Sequence, residues 1–203
     1  MAKKNDQALS PNYYFDPKFK RDAIKILPGE YYVTARDLLI VTVLGSCVSV
    51  CLRDRQSGIG GMNHFMLPGN ADADAGPVSQ SARYGSYAMD ILINNLLKLG
   101  AERRYFEAKV FGGGRVLSGF SVNQVGDRNA TFVMNYLRAE KIPVLAQDLL
   151  DVYPRKIYYF PAIGKVLVRK LKTQHNTTIL DRETEYRHRI DETQVAGDIE
   201  LFS

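Results

Sequence analysis

Cys47 and His64 are the two side chains of this chain whose chemistry and spacing fit together. A thiol with a pKa near ~8.5 is mostly protonated at neutral pH, and only the thiolate attacks a carbonyl carbon well. An imidazole beside it can take the proton and later hand it to a leaving group. Between the two lie an apolar run from Val48 to Leu52, a polar stretch from Asp54 to Gly58 and a second apolar run from Ile59 to Leu67. Two such runs around a short break containing Gly predict a β-hairpin. A turn centred between Arg55 and Gln56 sets Cys47 directly opposite His64 on one face, with Cβ atoms roughly 4.5–5.5 Å apart. A slip of one residue would send the two side chains to opposite faces. Gly45 and Ser46 allow a sharp turn before the cysteine, where the N–H groups of Ser46 and Cys47 could face a developing oxyanion. The other two histidines, His175 and His188, lie in a polar C-terminal segment. The alternative is a cysteine that is a small core hydrophobe and a histidine that is a hydrogen-bonded core residue.

The elements that must position this pair can be read from the periodicity. Residues 30–43 predict strands around a polar turn at Ala35-Arg36-Asp37. Residues 69–82, small and polar with Gly and Pro, predict a loop that either faces substrate or merely connects. Residues 84–99 predict an amphipathic helix with Asn95 as the exception on its apolar face and Gly100 as its stop. A strand over 105–111 runs into Gly112-Gly113-Gly114. That triplet lacks the Lys-Ser/Thr of a phosphate-binding loop, so it reads as backbone made bare for a close approach. Asp127 or Asn129 can cap a helix running to about Lys141. Residues 142–146 and 156–169 predict strands, the latter split near Pro161 and Gly164.

Composition bounds the class. At 203 residues one domain is the expected count, and the chain can bury a proper core. No apolar run approaches the roughly 18–20 residues of a membrane span, and the polar start MAKKNDQALS lacks a secretory core. Cys47 and Cys51 are the only cysteines; a disulfide at that strand spacing is unfavourable and no metal-ligand spacing is present. Both are expected to be free thiols in a cytoplasmic protein, with Cys51 packed in the core. Neither cofactor nor metal is called for. Residues 173–203 carry three Arg and seven Asp or Glu, whereas the preceding 172 residues carry 24 basic and 15 acidic side chains. A basic body suits an acidic partner, and no recognised nucleic-acid motif is present.

Several segments resemble the CheD family of chemoreceptor glutamine deamidases: KILPGEYYVT (25–34), TVLGSCVSVCLRD (42–54), GGMNHFMLP (60–68), RYGSYAMDILINNLLKLGA (83–101), AKVFGGG (108–114), VGDRNATFVMNYLRAEKIPV (125–144) and PRKIYYFPAIGKVLVRK (154–170). The resemblance implies an α+β fold layered α/β/β/α, a sandwich-like core flanked by helices and shared with toxin deamidases such as cytotoxic necrotizing factor. It implies Cys47 as nucleophile, His64 as general base, chemotaxis receptors as substrates and a CheC-type phosphatase as a partner. It also implies glutamine-to-glutamate conversion through a cysteine thioester, a route that would cleave a glutamate methyl ester as well. The family's third catalytic position, a threonine, falls on Val41, with Thr42 next to it as the candidate orienting residue. Many members carry DxGG where this chain has Asp148-Leu149-Leu150-Asp151. The expected organisation is a polar, mobile or loosely docked arm over 1–24, the deamidase domain over 25–172 and a charged tail over 173–203 that is disordered or docks only on a partner. Two other functions compete: a binding module that regulates without catalysis, and a cysteine hydrolase acting on other amides.

Overall fold

A computed structural model describes residues 12–68, 80–116, 123–171 and 177–192. Among the described residues, ten strands form two five-stranded sheets. The first sheet contains β1 (Tyr13–Asp16), β2 (Arg21–Lys25), β4 (Leu39–Leu44), β9 (Arg155–Phe160) and β10 (Lys165–Lys170), in the order β1-β2-β4-β9-β10. The second contains β3 (Tyr31–Thr34), β5 (Val48–Asp54), β6 (Gly60–Asn63), β7 (Phe106–Gly112) and β8 (Val144–Leu149), in the order β3-β6-β5-β7-β8. Of these neighbours, β2–β4 and β7–β8 pair in parallel and the rest antiparallel. The predicted strands around residues 35–37 are therefore β3 and β4, but they belong to different sheets.

Period-two alternation decides which side chains meet between the sheets. Along β4, Leu39 and Val41 face the outer side, with Ala23, Tyr158 and Phe160, while Ile40 and Leu44 enter the layer between the sheets. Thr42 shares the parity of Ile40 and Leu44. Along β5, Val48, Val50 and Leu52 turn outward to the helices, and Cys47 and Cys51 turn inward. After β6 the parity of Met62 and Met66, both inward, is also that of His64.

Helices α1 (Gln80–Lys98) and α2 (Asn123–Ala139) cover the outer face of the second sheet. Met89, Leu92, Ile93 and Leu96 of α1 and Val133 and Leu137 of α2 are almost fully buried there. Asn95 is accommodated on that apolar face by donating to the Ile91 carbonyl at 2.7 Å and to the Tyr31 hydroxyl at 3.3 Å. The α+β class expected from the sequence is borne out.

Two expectations about the ends are corrected. The arm is not loose beyond residue 12: β2 sits inside the first sheet, with Ala23 and Ile24 fully buried. Asp16 closes the β1–β2 turn by accepting the N–H groups of Lys18 and Phe19, and the Phe19 ring lies 5.1 Å from that of Tyr158 and 5.4 Å from that of Phe160. Residues 177–192 form helix α3 (Thr177–Glu192), which buries Glu183, Tyr186 and Ile190. Spacings of three and seven put these on one helical face, enough to dock a charged segment with little overall amphipathicity. Residues 69–79 of the expected loop lie outside the described residues; residues 80–82 open α1.

The Asp148–Asp151 stretch keeps a glycine-like path without glycine. Leu150 and Asp151 have φ of 63° and 72°, in the left-handed region. The Arg155 guanidinium holds the bend, donating to the carbonyls of Gly112 (2.6 Å), Asp148 (2.7 Å) and Leu150. Left-handed backbone costs a branched side chain about 1 kcal/mol. Leu150→Gly is therefore expected to raise stability by about 0.5–1 kcal/mol, read as a higher urea midpoint at unchanged slope.

Candidate active site

The turn that carries Cys47 is built by close backbone contacts. Gly112 has φ of 113°, and a Cβ there would lie 2.1 Å from the Cys47 carbonyl oxygen. No side chain fits, and Gly113 and Gly114 donate to the carbonyls of Cys47 and Gly45, each at 2.8 Å. The bare triplet expected from the sequence thus clamps residues 45–47. Asn129 supports the same turn. Fully buried inside α2, it donates to the Ser46 carbonyl and accepts from the Leu67 N–H, both at 2.9 Å. The helix cap expected at this position is corrected: the helix starts six residues earlier, so the amide serves the site instead.

The hairpin register differs from the expected one. Cys51 pairs with Met62, Leu52 with Gly61 and Arg53 with Gly60, and an isolated bridge joins Val48 to Phe65. Met66, not His64, is therefore the position opposite Cys47. The turn is longer than expected because Asp54 accepts the N–H groups of Gln56 and Ser57, and Gly58, at φ 76°, completes it. The shift is by an even number, so the shared face survives. The ladder breaks before His64, where Asn63 takes the Val50 N–H on its side chain. The His64 backbone is held by the β3 side instead: its N–H donates to Glu30 at 2.9 Å and its carbonyl accepts from Gly29 at 2.7 Å.

Thr42 meets His64 across the sheets. Its hydroxyl lies 2.9 Å from the Ile26 carbonyl and 2.8 Å from His64 Nδ1. The single hydroxyl proton goes to the carbonyl, which can only accept. At His64 the hydroxyl must then accept, so Nδ1 carries the imidazole proton and Nε2 keeps its lone pair. Nε2 is buried and has no hydrogen-bond partner among the described residues. Val41, at the position where the family threonine falls, is on the outer face, and alternation explains why its neighbour reaches the histidine.

A residue that the sequence did not suggest completes the cluster. The Glu183 carboxylate of α3 accepts from the Gly45 N–H at 2.8 Å and the Cys47 N–H at 3.1 Å on one oxygen. Its other oxygen accepts from the Ser46 N–H and the Ser46 hydroxyl, both at 2.8 Å. Three backbone donors thus converge where two were expected, at Ser46 and Cys47. The Cys47 sulfur, a His64 ring nitrogen and a Glu183 oxygen all lie within 4.8 Å of one another. Such a trio could ligate a metal ion, but the converging N–H dipoles make a field suited to an anion. Cys51, free like Cys47, packs in the layer between the sheets.

Burial sets the protonation states. It pushes the Cys47 thiol well above its ordinary range, and the Glu183 carboxylate adds to the shift. Burial also pulls His64 down to about 3. The resting pair is a neutral thiol beside a neutral imidazole. An unfolded chain would protonate His64 near its ordinary 6.5, so below that pH the unfolded state binds the extra proton. The stability that a neutral, buried His64 contributes is full above about pH 6.5 and falls by about 1.4 kcal/mol per unit as the pH drops toward about 3. Denaturant titrations from about pH 7 to about pH 5 should show this loss, and His64→Asn should remove its share of the slope.

Residues 66–170 match the family model described as "CheD chemotactic sensory transduction". Over the full length of both chains, the protein is 61% identical to a "Probable chemoreceptor glutamine deamidase CheD" of Janthinobacterium sp. (strain Marseille) and 60% identical to one of Herminiimonas arsenicoxydans. It is 59% identical, again over both full chains, to one of Methylobacillus flagellatus. No helix among the described residues is long and apolar enough to cross a membrane. Family model and full-length relatives agree, and the chain belongs to the CheD family.

Proposed function

We propose that the protein deamidates glutamine side chains of chemotaxis receptors, with Cys47 as nucleophile and His64 as base. The observation that carries this reading is the set of N–H groups at Gly45, Ser46 and Cys47 gripping a carboxylate beside a thiol and a neutral imidazole. With a glutamine carboxamide in that cradle, its oxygen takes the N–H donors. The Cys47 sulfur bonds to the amide carbon while Nε2 of His64 takes the thiol proton. The imidazolium then protonates the nitrogen, the C–N bond breaks and ammonia leaves a thioester. Water, activated by the same nitrogen, attacks the thioester; the C–S bond breaks, the thiol is restored and glutamate remains. Negative charge on the oxygen in both tetrahedral intermediates is met by fixed backbone donors, which need no reorganisation. Thr42 is the positioning residue, holding the tautomer that leaves Nε2 free.

A methyl ester would follow the same route with methanol as leaving group. Partnership with a CheC-type phosphatase is supported by the family resemblance. The excess of basic over acidic side chains outside the C-terminal segment suits a glutamate-rich receptor surface. The experiment that tests the function is ammonia release from a purified receptor cytoplasmic domain, with conversion sites mapped by mass spectrometry. Release by the full chain and none by Cys47→Ala is the expected result; equal release by both would sink the assignment.

A further inference from the structure

We propose that α3 is a resident occupant of the substrate groove, its Glu183 carboxylate standing where the product carboxylate forms, so that a receptor helix reaches Cys47 only by displacing it. This rests on the deamidase reading above. Deamidation turns a carboxamide into a carboxylate held by the turn donors, and Glu183 has that chemistry in that place. The fit is shaped for it: a Cβ at Gly45 would lie 2.7 Å from Glu183 Oε2. Tyr186 is seated against bare backbone at Gly29, where a Cβ would come within 2.8 Å of its ring, and its hydroxyl meets that of Tyr84 from α1.

With α3 in place the site is shut. Cys47 is 0% and His64 1% exposed. The space beside His64, bounded by Lys25, Pro28, Val43, Arg182 and Glu183 among others, is ≈ 20 Å³. That holds about one water and no side chain. Among the described side chains of α3, Glu183, Tyr186 and Ile190 are buried in one stripe, while Asp181, Arg182, Thr184 and Glu185 are exposed. Both sheets are complete without α3, so the helix can detach without unfolding the sandwich. The groove therefore takes helices, reading an amide or carboxylate at one position and apolar or aromatic side chains three and seven residues later.

A site so occupied should act on its own occupant when given an amide. In full-length Glu183→Gln, the oxygen of the introduced carboxamide takes the Gly45 and Cys47 donors, and its NH2 donates to the Ser46 hydroxyl while crowding the Ser46 N–H. Sulfur bonds to the carboxamide carbon, ammonia leaves with the thiol proton, and water cleaves the thioester, so residue 183 should be found as glutamate again by peptide mapping. In Glu183→Gln combined with Cys47→Ala the amide should persist. An amide that persists at residue 183 in a Glu183→Gln preparation that still deamidates receptor overturns the inference and leaves the function standing. If neither residue 183 nor receptor is converted, the deamidase reading fails, and alkylation of Cys47 by iodoacetamide judges the occupancy alone. Glu183→Ala and Tyr186→Ala should each speed alkylation by about tenfold or more, because reactivity scales with the open fraction. Unchanged alkylation in both overturns the inference. So does receptor deamidation that falls in both, which would make Glu183 part of the machinery.

Discussion

Cys47→Ala is expected to lower receptor deamidation by about 10⁴-fold or more, to the level left by the backbone donors and substrate binding alone. In the proposed mechanism the sulfur is the nucleophile. Ser46, its neighbour, makes no hydrogen bond to His64, whose Nε2 is without a partner among the described residues, and its carbonyl is tied to Asn129. A buried thiol with a raised pKa gives little thiolate of its own accord, so the rate depends on the proton leaving as the S–C bond forms. Ammonia release under single-turnover conditions, with circular dichroism as a check that the sandwich is intact, measures the loss. A residual rate within tenfold of wild type would remove sulfur from the mechanism.

The second large effect is expected at His64. His64→Asn should cost about 10³-fold in the acylation rate. The substitution is chosen for geometry: the asparagine amide stands near Nδ1 and can still donate to Thr42, so the contact across the sheets persists while the base at Nε2 is gone. Effects at Cys47 and His64 should not multiply, because in the proposed mechanism the two act on one proton transfer. A double variant no slower than Cys47→Ala would show this, whereas multiplied losses would mean that the imidazole works independently of the sulfur.

How far the site is legible in the sequence depends on distance along the chain. Cys47 and His64 stand out because reactive types are few and sit in two adjacent apolar runs. Thr42 is visible one residue from the family's threonine, and strand alternation explains why it, and not Val41, faces the histidine. The strand register is not legible, since an Asp54 side chain and a left-handed Gly58 lengthen the turn. The strands β3 to β7 and helix α1 follow from periodicity, whereas assigning β3 and β4 to different sheets requires tertiary structure. Asn129 looks like a cap because Asn favours helix starts, and only the fold reveals the carbonyl it serves. Glu183 lies 136 residues from Cys47 in a charged segment. Its one sequence signal is the spacing of Glu183, Tyr186 and Ile190, too sparse to outweigh the surrounding charge.

On the proposed mechanism, the Thr42–His64 bond also makes the reaction a strain gauge for the sandwich. Thr42 rides on the first sheet, while His64 and Cys47 ride on the second. A small sliding of one sheet past the other would leave thiol and imidazole travelling together, but would drag the hydroxyl away and free the ring to rotate or change tautomer. Competence is thereby tied to the alignment of two separately hydrogen-bonded slabs. Any force or ligand that shears them can silence the enzyme without unfolding a strand or touching the sulfur.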